Sequence, residues 1–189
     1  MLEQFAWLIP MLPLVAALWI AAGYVLSVNR GETGEKQTAW VAQGAAALSF
    51  LLALLSALKA LWQGAPGQVQ VAEWLRSGDL VLNIRFTLDP LGLAMTTLVA
   101  FISLLTLRFS VNYLHREAGF QRFFLVLCLF MAAMELIAMA GNAAMAFIGW
   151  ELAGVSSYLL IAYAFDRTDA SRNATRAFVT NRIGDAAFI

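Results

Sequence analysis

Charge is scarce in this chain. Asp, Glu, Lys and Arg make up only 13% of its 189 residues, against roughly 25% in a soluble domain. Twelve basic and twelve acidic side chains leave a formal net charge of zero. The basic residues are dispersed, so no patch points to nucleic acid or to an acidic partner. The single cysteine, Cys128, excludes an internal disulfide framework and a multi-cysteine metal or iron–sulfur site. Its apolar surroundings mark it as a small buried hydrophobe. The single histidine, His115, excludes a histidine pair for haem, and no phosphate-cradling glycine loop occurs. Set among charges in NYLHREAGFQRFF, it reads as a solvated surface residue. The chain by itself has no equipment for hydrolysing nucleotide or carrying electrons, and no cofactor is expected in it.

What replaces charge is apolar surface: 61% of the residues are hydrophobic and the mean hydropathy is +0.75. Runs of about 20 apolar residues match the thickness of a bilayer at 1.5 Å rise per residue. The expected fold is an all-α membrane protein, a polytopic transmembrane helical bundle in membrane lipid. About six spanning helices are placed near residues 5–28, 38–63, 89–112, 121–140, 143–165 and 174–189. The first lacks a basic segment before it and is too long for a cleavable signal, so it reads as a spanning helix. The last is truncated. It would leave the carboxylate of Ile189 part-way through the bilayer, so the sequence reads as the front of a longer protein or one piece of a split one.

Residues 64–88 interrupt this pattern. Leu82, Ile84, Phe86 and Leu88 alternate with polar or smaller residues, the period of a half-buried strand, and QVQVAEWL with the Ser77-Gly78 turn completes a short β-hairpin insert. Asp89-Pro90 then suits the start of a helix, the aspartate as cap and the proline in the first turn. Basic residues set the orientation. Arg30, Lys36, Arg108, Arg116, Arg122, Arg167, Arg172 and Arg176 fall in or beside alternate loops, against Lys59, Arg76 and Arg85 on the other side. The N-terminus and the hairpin are therefore expected outside. Trp7, Trp40 and Trp62 near helix ends fit interfacial anchoring.

Four ionisable residues fall within the apolar segments: Glu135, Glu151, Arg182 and Asp185. A charge at the bilayer centre costs at least about 2.5 kcal/mol, so such residues face the bundle interior or water. They serve either as a proton or ion relay or as structural pairs that hold helices in register. Glu151 shares a helical face with Gly154, Val155 and Tyr158, at spacings of three, four and seven. Gly154 admits a close neighbour, and Ser156 and Ser157 offer hydroxyls to other helices or to water. A carboxyl moved between an uncharged setting and one beside a cation takes up and releases a proton. Arg182 and Asp185, three apart, can pair along one face and either anchor a helix end or line a wet path from the cytoplasm. Glu135 sits about six residues before the Gly141-Asn142 turn and Glu151 about nine after it, a depth difference of only about 5 Å, so the two acids could share one cavity. Otherwise Glu135 snorkels outward.

Several stretches resemble a known family. RFTLDPLGLAM, RFFLVLCLFMAAM, FIGWELAGVSSYLLIAYAF and AFVTNRIGDAAFI are similar, in order and spacing over roughly residues 80 to 189, to the antiporter-like proton-translocating subunits of respiratory complex I, within them the L-type chain or subunit 5. The first 80 residues agree in topology only. The resemblance implies a membrane subunit that moves protons beside the other subunits of a redox-driven assembly in a bacterial inner membrane. It implies that Glu151 is the protonatable glutamate of a charge switch whose lysine partner lies beyond Ile189. Arg182 and Asp185 would couple neighbouring subunits or admit protons. Glu135 departs from the pattern, which has an aliphatic residue there. Cation/proton antiporters and inorganic-carbon uptake complexes share the fold and stay open as alternatives, as does a purely structural membrane anchor.

Overall fold

The computed structural model describes residues 2–28, 31–78 and 80–186. Its helices are α1 (Leu8–Val25), α2 (Gly31–Gln63), α3 (Pro90–Tyr113), α4 (Phe120–Ala138), α5 (Ala143–Ile161) and α6 (Thr168–Asp185), with strands β1 (Gly67–Ser77) and β2 (Leu80–Leu88) between α2 and α3. Among the described residues, five helices are long and apolar enough to cross a membrane, α1 to α5. The sixth expected helix differs in its bounds. The helix forms, but it begins at Thr168 rather than near 174 and carries Asp169, Arg172, Arg176, Arg182 and Asp185 within 18 residues. Residues 187–189 lie outside the described residues.

The second correction concerns α2, which starts at Gly31 rather than near residue 38. Its 33 residues extend over about 50 Å, well beyond the hydrocarbon, and the added turns are polar. Charges hold those turns. Arg116 donates to Glu32 at 2.9 Å, and His115 Nδ1 lies 3.0 Å from Glu35. Arg116 adopts φ of 66°, a left-handed conformation uncommon for a residue with a Cβ. His115 is thus half-exposed, as expected, but it also docks the α3–α4 turn onto α2.

α4 is the central helix, packed against α1, α2, α3 and α5. Phe124, Cys128, Met131 and Ala133 on it are fully buried, so Cys128 is the small core residue the sequence suggested. In lipid the hydrophobic effect does not drive helices together, and close packing must. α2 supplies it through a seam of small buried residues: Ala39, Ala42, Ala46, Ser49 and Ala53. On α1, Pro13 has no N–H to give the carbonyl of Ile9 its regular i+4 bond. Ser49 Oγ from α2 donates to that carbonyl at 3.1 Å.

The hairpin is antiparallel, with Val69 opposite Phe86 and Leu75 opposite Leu82. Register shifts between Gln70 and Ala72 and between Glu73 and Leu75 mark two bulges. Phe86 and Leu88 are buried against Leu93, Met139 and Met145, so the inward half of the predicted alternation covers one end of the bundle. β2 also binds the α4–α5 turn: Thr87 N donates to Met139 O at 2.9 Å and Gly141 N to Arg85 O at 2.8 Å. Asp89 Oδ1 accepts from Gly92 N at 2.7 Å, the cap expected before Pro90.

Candidate functional site

Asn142 fixes the start of α5 from both sides. Its Oδ1 accepts from Met145 N at 2.9 Å, capping the helix, while its Nδ2 donates to Asn83 O on β2 at 2.7 Å. Gly149 then fixes how α5 is turned. A Cβ at this position would lie 2.8 Å from Ile137 Cγ1 and 3.1 Å from Ala133 O on α4, so only glycine allows the helices this close. Gly149→Val is expected to lower stability by about 1–3 kcal/mol through overpacking. Thermal unfolding of the purified full-length protein in detergent checks this, and an unchanged midpoint would contradict the close α4–α5 contact.

Because Gly149 faces α4, Glu151, two residues and about 200° further round, faces away from it, towards α6. There its carboxylate forms an ion pair with the Arg182 guanidinium. Arg182 Nε lies 3.2 Å from Asp185 Oδ2 on its own helix. That contact has no hydrogen-bond alignment, so it is a Coulombic approach. Asp185 is directed instead by Trp150 Nε1, which donates to Oδ1 at 2.8 Å. The side chains are 24% exposed for Glu151, 35% for Arg182 and 7% for Asp185, a cluster graded in burial.

The predicted face of α5 is largely present. Gly154 stands over Arg182 Nη2 and Asn181 Nδ2 at 3.5 and 3.7 Å from a built Cβ, ordinary contact distances that leave room for alanine. Tyr158 meets Phe178 with ring centroids 5.3 Å apart, and the Arg182 guanidinium lies 5.1 Å from the Phe178 ring centre. Val155 lies at the exposed edge of this face. Ser156 departs from expectation: its hydroxyl donates to Leu152 O of its own helix at 2.7 Å rather than across to another.

Glu135 does not join this cluster. Ala133 and Ile137 turn towards Gly149, so Glu135 between them points the opposite way, with its Oε1 in hydrogen-bond contact with Ser49 Oγ of α2 at 2.7 Å. The idea that both acids share one cavity fails for this reason. Outward snorkelling fails too, since Glu135 is 0% exposed. Sequence reasoning missed Trp150 and Ser49. The signal for Trp150 was its single N–H one position before the acid, and for Ser49 its hydroxyl between the buried alanines Ala46 and Ala53.

Chemically, Glu151, Arg182 and Asp185 bring two carboxylates to one cation. With both acids ionised the cluster carries one net negative charge, and one proton neutralises it. Among the described residues, no three His, Cys, Asp or Glu side chains converge in a way that could hold a metal ion.

Comparison with known proteins accords with this architecture. Residues 74–124 match the family described as the N-terminus of chain 5 of NADH-ubiquinone oxidoreductase (complex I), and residues 140–189 match the NADH:quinone oxidoreductase/Mrp antiporter transmembrane family. Chain 5 of the NAD(P)H-quinone oxidoreductase of Picosynechococcus sp. is 34% identical over 97% of this chain and 28% of its own length. Its counterpart in Synechocystis sp. is 35% identical over 98% of this chain and 27% of its own. The chloroplastic subunit 5 of Zygnema circumcarinatum is 30% identical over 97% and 26%. The likeness therefore includes the first 80 residues, beyond topology alone. The chain spans roughly a quarter of the length of these relatives. Two family regions matched in chain order, with relatives aligned over nearly every residue, mean that the chain belongs to the antiporter-like chain 5 family of NADH:quinone oxidoreductases and corresponds to the N-terminal portion of its members.

Proposed function

We propose that this chain is a membrane subunit that moves protons within a redox-driven NADH:quinone oxidoreductase assembly, and that Glu151 is its principal protonatable group. The observation that carries the reading is the unequal cluster, in which Arg182 stands between Glu151 and Asp185. A single cation shared by two acids gives a site with two arrangements. When Arg182 is drawn to Asp185, Glu151 loses its counter-charge and takes a proton; when Arg182 returns, Glu151 releases it. Trp150 holds Asp185 in place throughout. Redox work done elsewhere in the assembly would drive the exchange by displacing Arg182 or by bringing a further cation to Glu151. The lysine implied by the family pattern would be that second cation, with Arg182 as the partner Glu151 has before it arrives.

The subunit would work in the bacterial inner membrane, with the N-terminus and hairpin outside and the long polar start of α2 in the cytoplasm, in keeping with the distribution of Lys and Arg. Its partners would be the other subunits of the complex, with the redox cofactors held by them. One observation favours a second reading, a cation/proton antiporter subunit: the family matched by residues 140–189 includes the Mrp antiporter by its description. Affinity purification of the full-length protein from its native membrane separates the two. Co-purification of quinone-reducing, iron–sulfur-containing subunits is expected; companion antiporter subunits without redox centres would overturn the first reading in favour of the second.

A further inference from the structure

We propose that Glu135, Ser49 and the Ile9 carbonyl form a second proton-binding site, apart from the Glu151 cluster, in which Glu135 keeps its proton as a neutral acid and hydrogen-bonds through it to Ser49. The reasoning is a count of hydrogens. Ser49 Oγ lies 2.7 Å from Glu135 Oε1 and 3.1 Å from Ile9 O. Were Glu135 ionised, both would be acceptors, and a serine hydroxyl has one hydrogen to give. Pro13 strengthens the claim of Ile9, because it cannot supply the i+4 N–H that this carbonyl would otherwise receive. A proton on Oε1 resolves the contest. The acid O–H then donates to Ser49 Oγ, Ser49 O–H donates to Ile9 O, and each hydrogen is used once.

The surroundings agree. Glu135 and Ser49 are both 0% exposed, and Glu135 Oε2 has no hydrogen-bond partner. A neutral carbonyl tolerates that far better than a carboxylate does. The other titratable and charged groups on the packed helices lie elsewhere. α1 has no charged residue, and its Tyr24 is at the far end from Ile9. On α2, Lys59 and Lys36 stand roughly 15 and 20 Å along the axis from Ser49, with Glu32 and Glu35 at the Lys36 end paired to Arg116 and His115. Arg108 of α3 donates to Gln43, Arg122 of α4 donates to Tyr163 O, and Glu151 of α5 pairs with Arg182. Cys128, two turns before Glu135 on α4, is buried among apolar side chains. Tyr158 of α5 is turned towards Phe178.

The site joins three helices, so proton occupancy and helix packing are linked. Loss of the proton removes one hydrogen bond and leaves a bare charge in the core where α1 and α2 meet α4. This inference is independent of the role proposed for Glu151. It is tested by infrared spectroscopy of the full-length protein in lipid nanodiscs at neutral pH, as the wild-type minus Glu135→Gln difference. Glutamine keeps the shape and can donate to Ser49 through its amide, so folding is expected to survive. A protonated-carboxyl carbonyl band present in the wild type and lost in the variant is the expected result; loss of carboxylate bands instead overturns the proposal. Should Glu135→Gln fail to fold, Ser49→Ala gives the same decision. A protonated-carboxyl band that shifts as its hydrogen bond is removed supports the site, and the absence of any such responding band refutes it.

Discussion

Glu151→Gln in the complete assembly is expected to cut proton translocation about a hundredfold or more, the lower range for removing a positioned proton-transfer group, while the subunit stays folded and assembled. Glutamine preserves the length of the side chain, and its carbonyl can still accept from the Arg182 guanidinium. What it cannot do is take up and release a proton. The loss therefore belongs to proton movement rather than to folding. Translocation is read in sealed vesicles with a pH-sensitive dye, beside a quinone-reduction assay and a thermal midpoint. Glu151→Asp serves as the second arm, since it retains a carboxyl one methylene short of Arg182 and should recover part of the activity. Translocation at the wild-type level in Glu151→Gln, with an unaltered midpoint, would leave the Glu151–Arg182 pair as a structural fastening between α5 and α6.

That this acid faces a neighbouring helix was legible in the sequence, because helical spacing alone sets Glu151, Gly154 and Tyr158 on one side of α5. The Arg182–Asp185 approach was legible for the same reason, being three apart on one helix. The pairing of Glu151 with Arg182 was not. It joins two helices whose relative rotation depends on Gly149 against Ala133 and Ile137, a contact that no periodicity encodes. Glu135 failed for a related reason. Its depth in the membrane follows from counting residues, but its direction follows from which face of α4 meets α5. The boundaries of α2 and α6 were misplaced because apolar runs were taken to mark where helices begin. Polar turns stay helical when ion pairs hold them, as Glu32 and Glu35 do at the start of α2.

The two proposed proton sites differ in the way their charge is balanced. Around Glu135 the hydrogen count closes only when a proton is present. Around Glu151 a cation is at hand, and either acid can be the one left without it. The first arrangement suits a proton that is held, and the second suits one that is exchanged. The helix faces reinforce the contrast, since Glu135 is in the packed centre of the bundle while the Glu151 and Arg182 side chains are only partly covered by it.

Arg182→Gln is expected to show the charge balance directly. Without the guanidinium, Glu151 and Asp185 are two acids left without their shared cation, Trp150 Nε1 being directed at Asp185, and at least one is expected to protonate or move outward. Removing one partner of a fully buried pair costs about 3–5 kcal/mol. Arg182 is 35% exposed, so a smaller loss of about 1–3 kcal/mol is expected, the exposed part being screened by water. Translocation should fall as well, since no cation remains to alternate between the acids. Adding Asp185→Asn to Arg182→Gln removes the surplus carboxylate, so the double variant should be more stable than Arg182→Gln alone. The coupling read from the four-protein cycle should therefore be clearly favourable. Its translocation should stay low, because repacking the charges does not restore the alternation. Arg182→Lys completes the set. It keeps the charge but not the planar fork that reaches both acids, so stability should hold better than activity. If the double variant is simply additive in stability, Arg182 and Asp185 act independently, and the shared cation is not what balances the site.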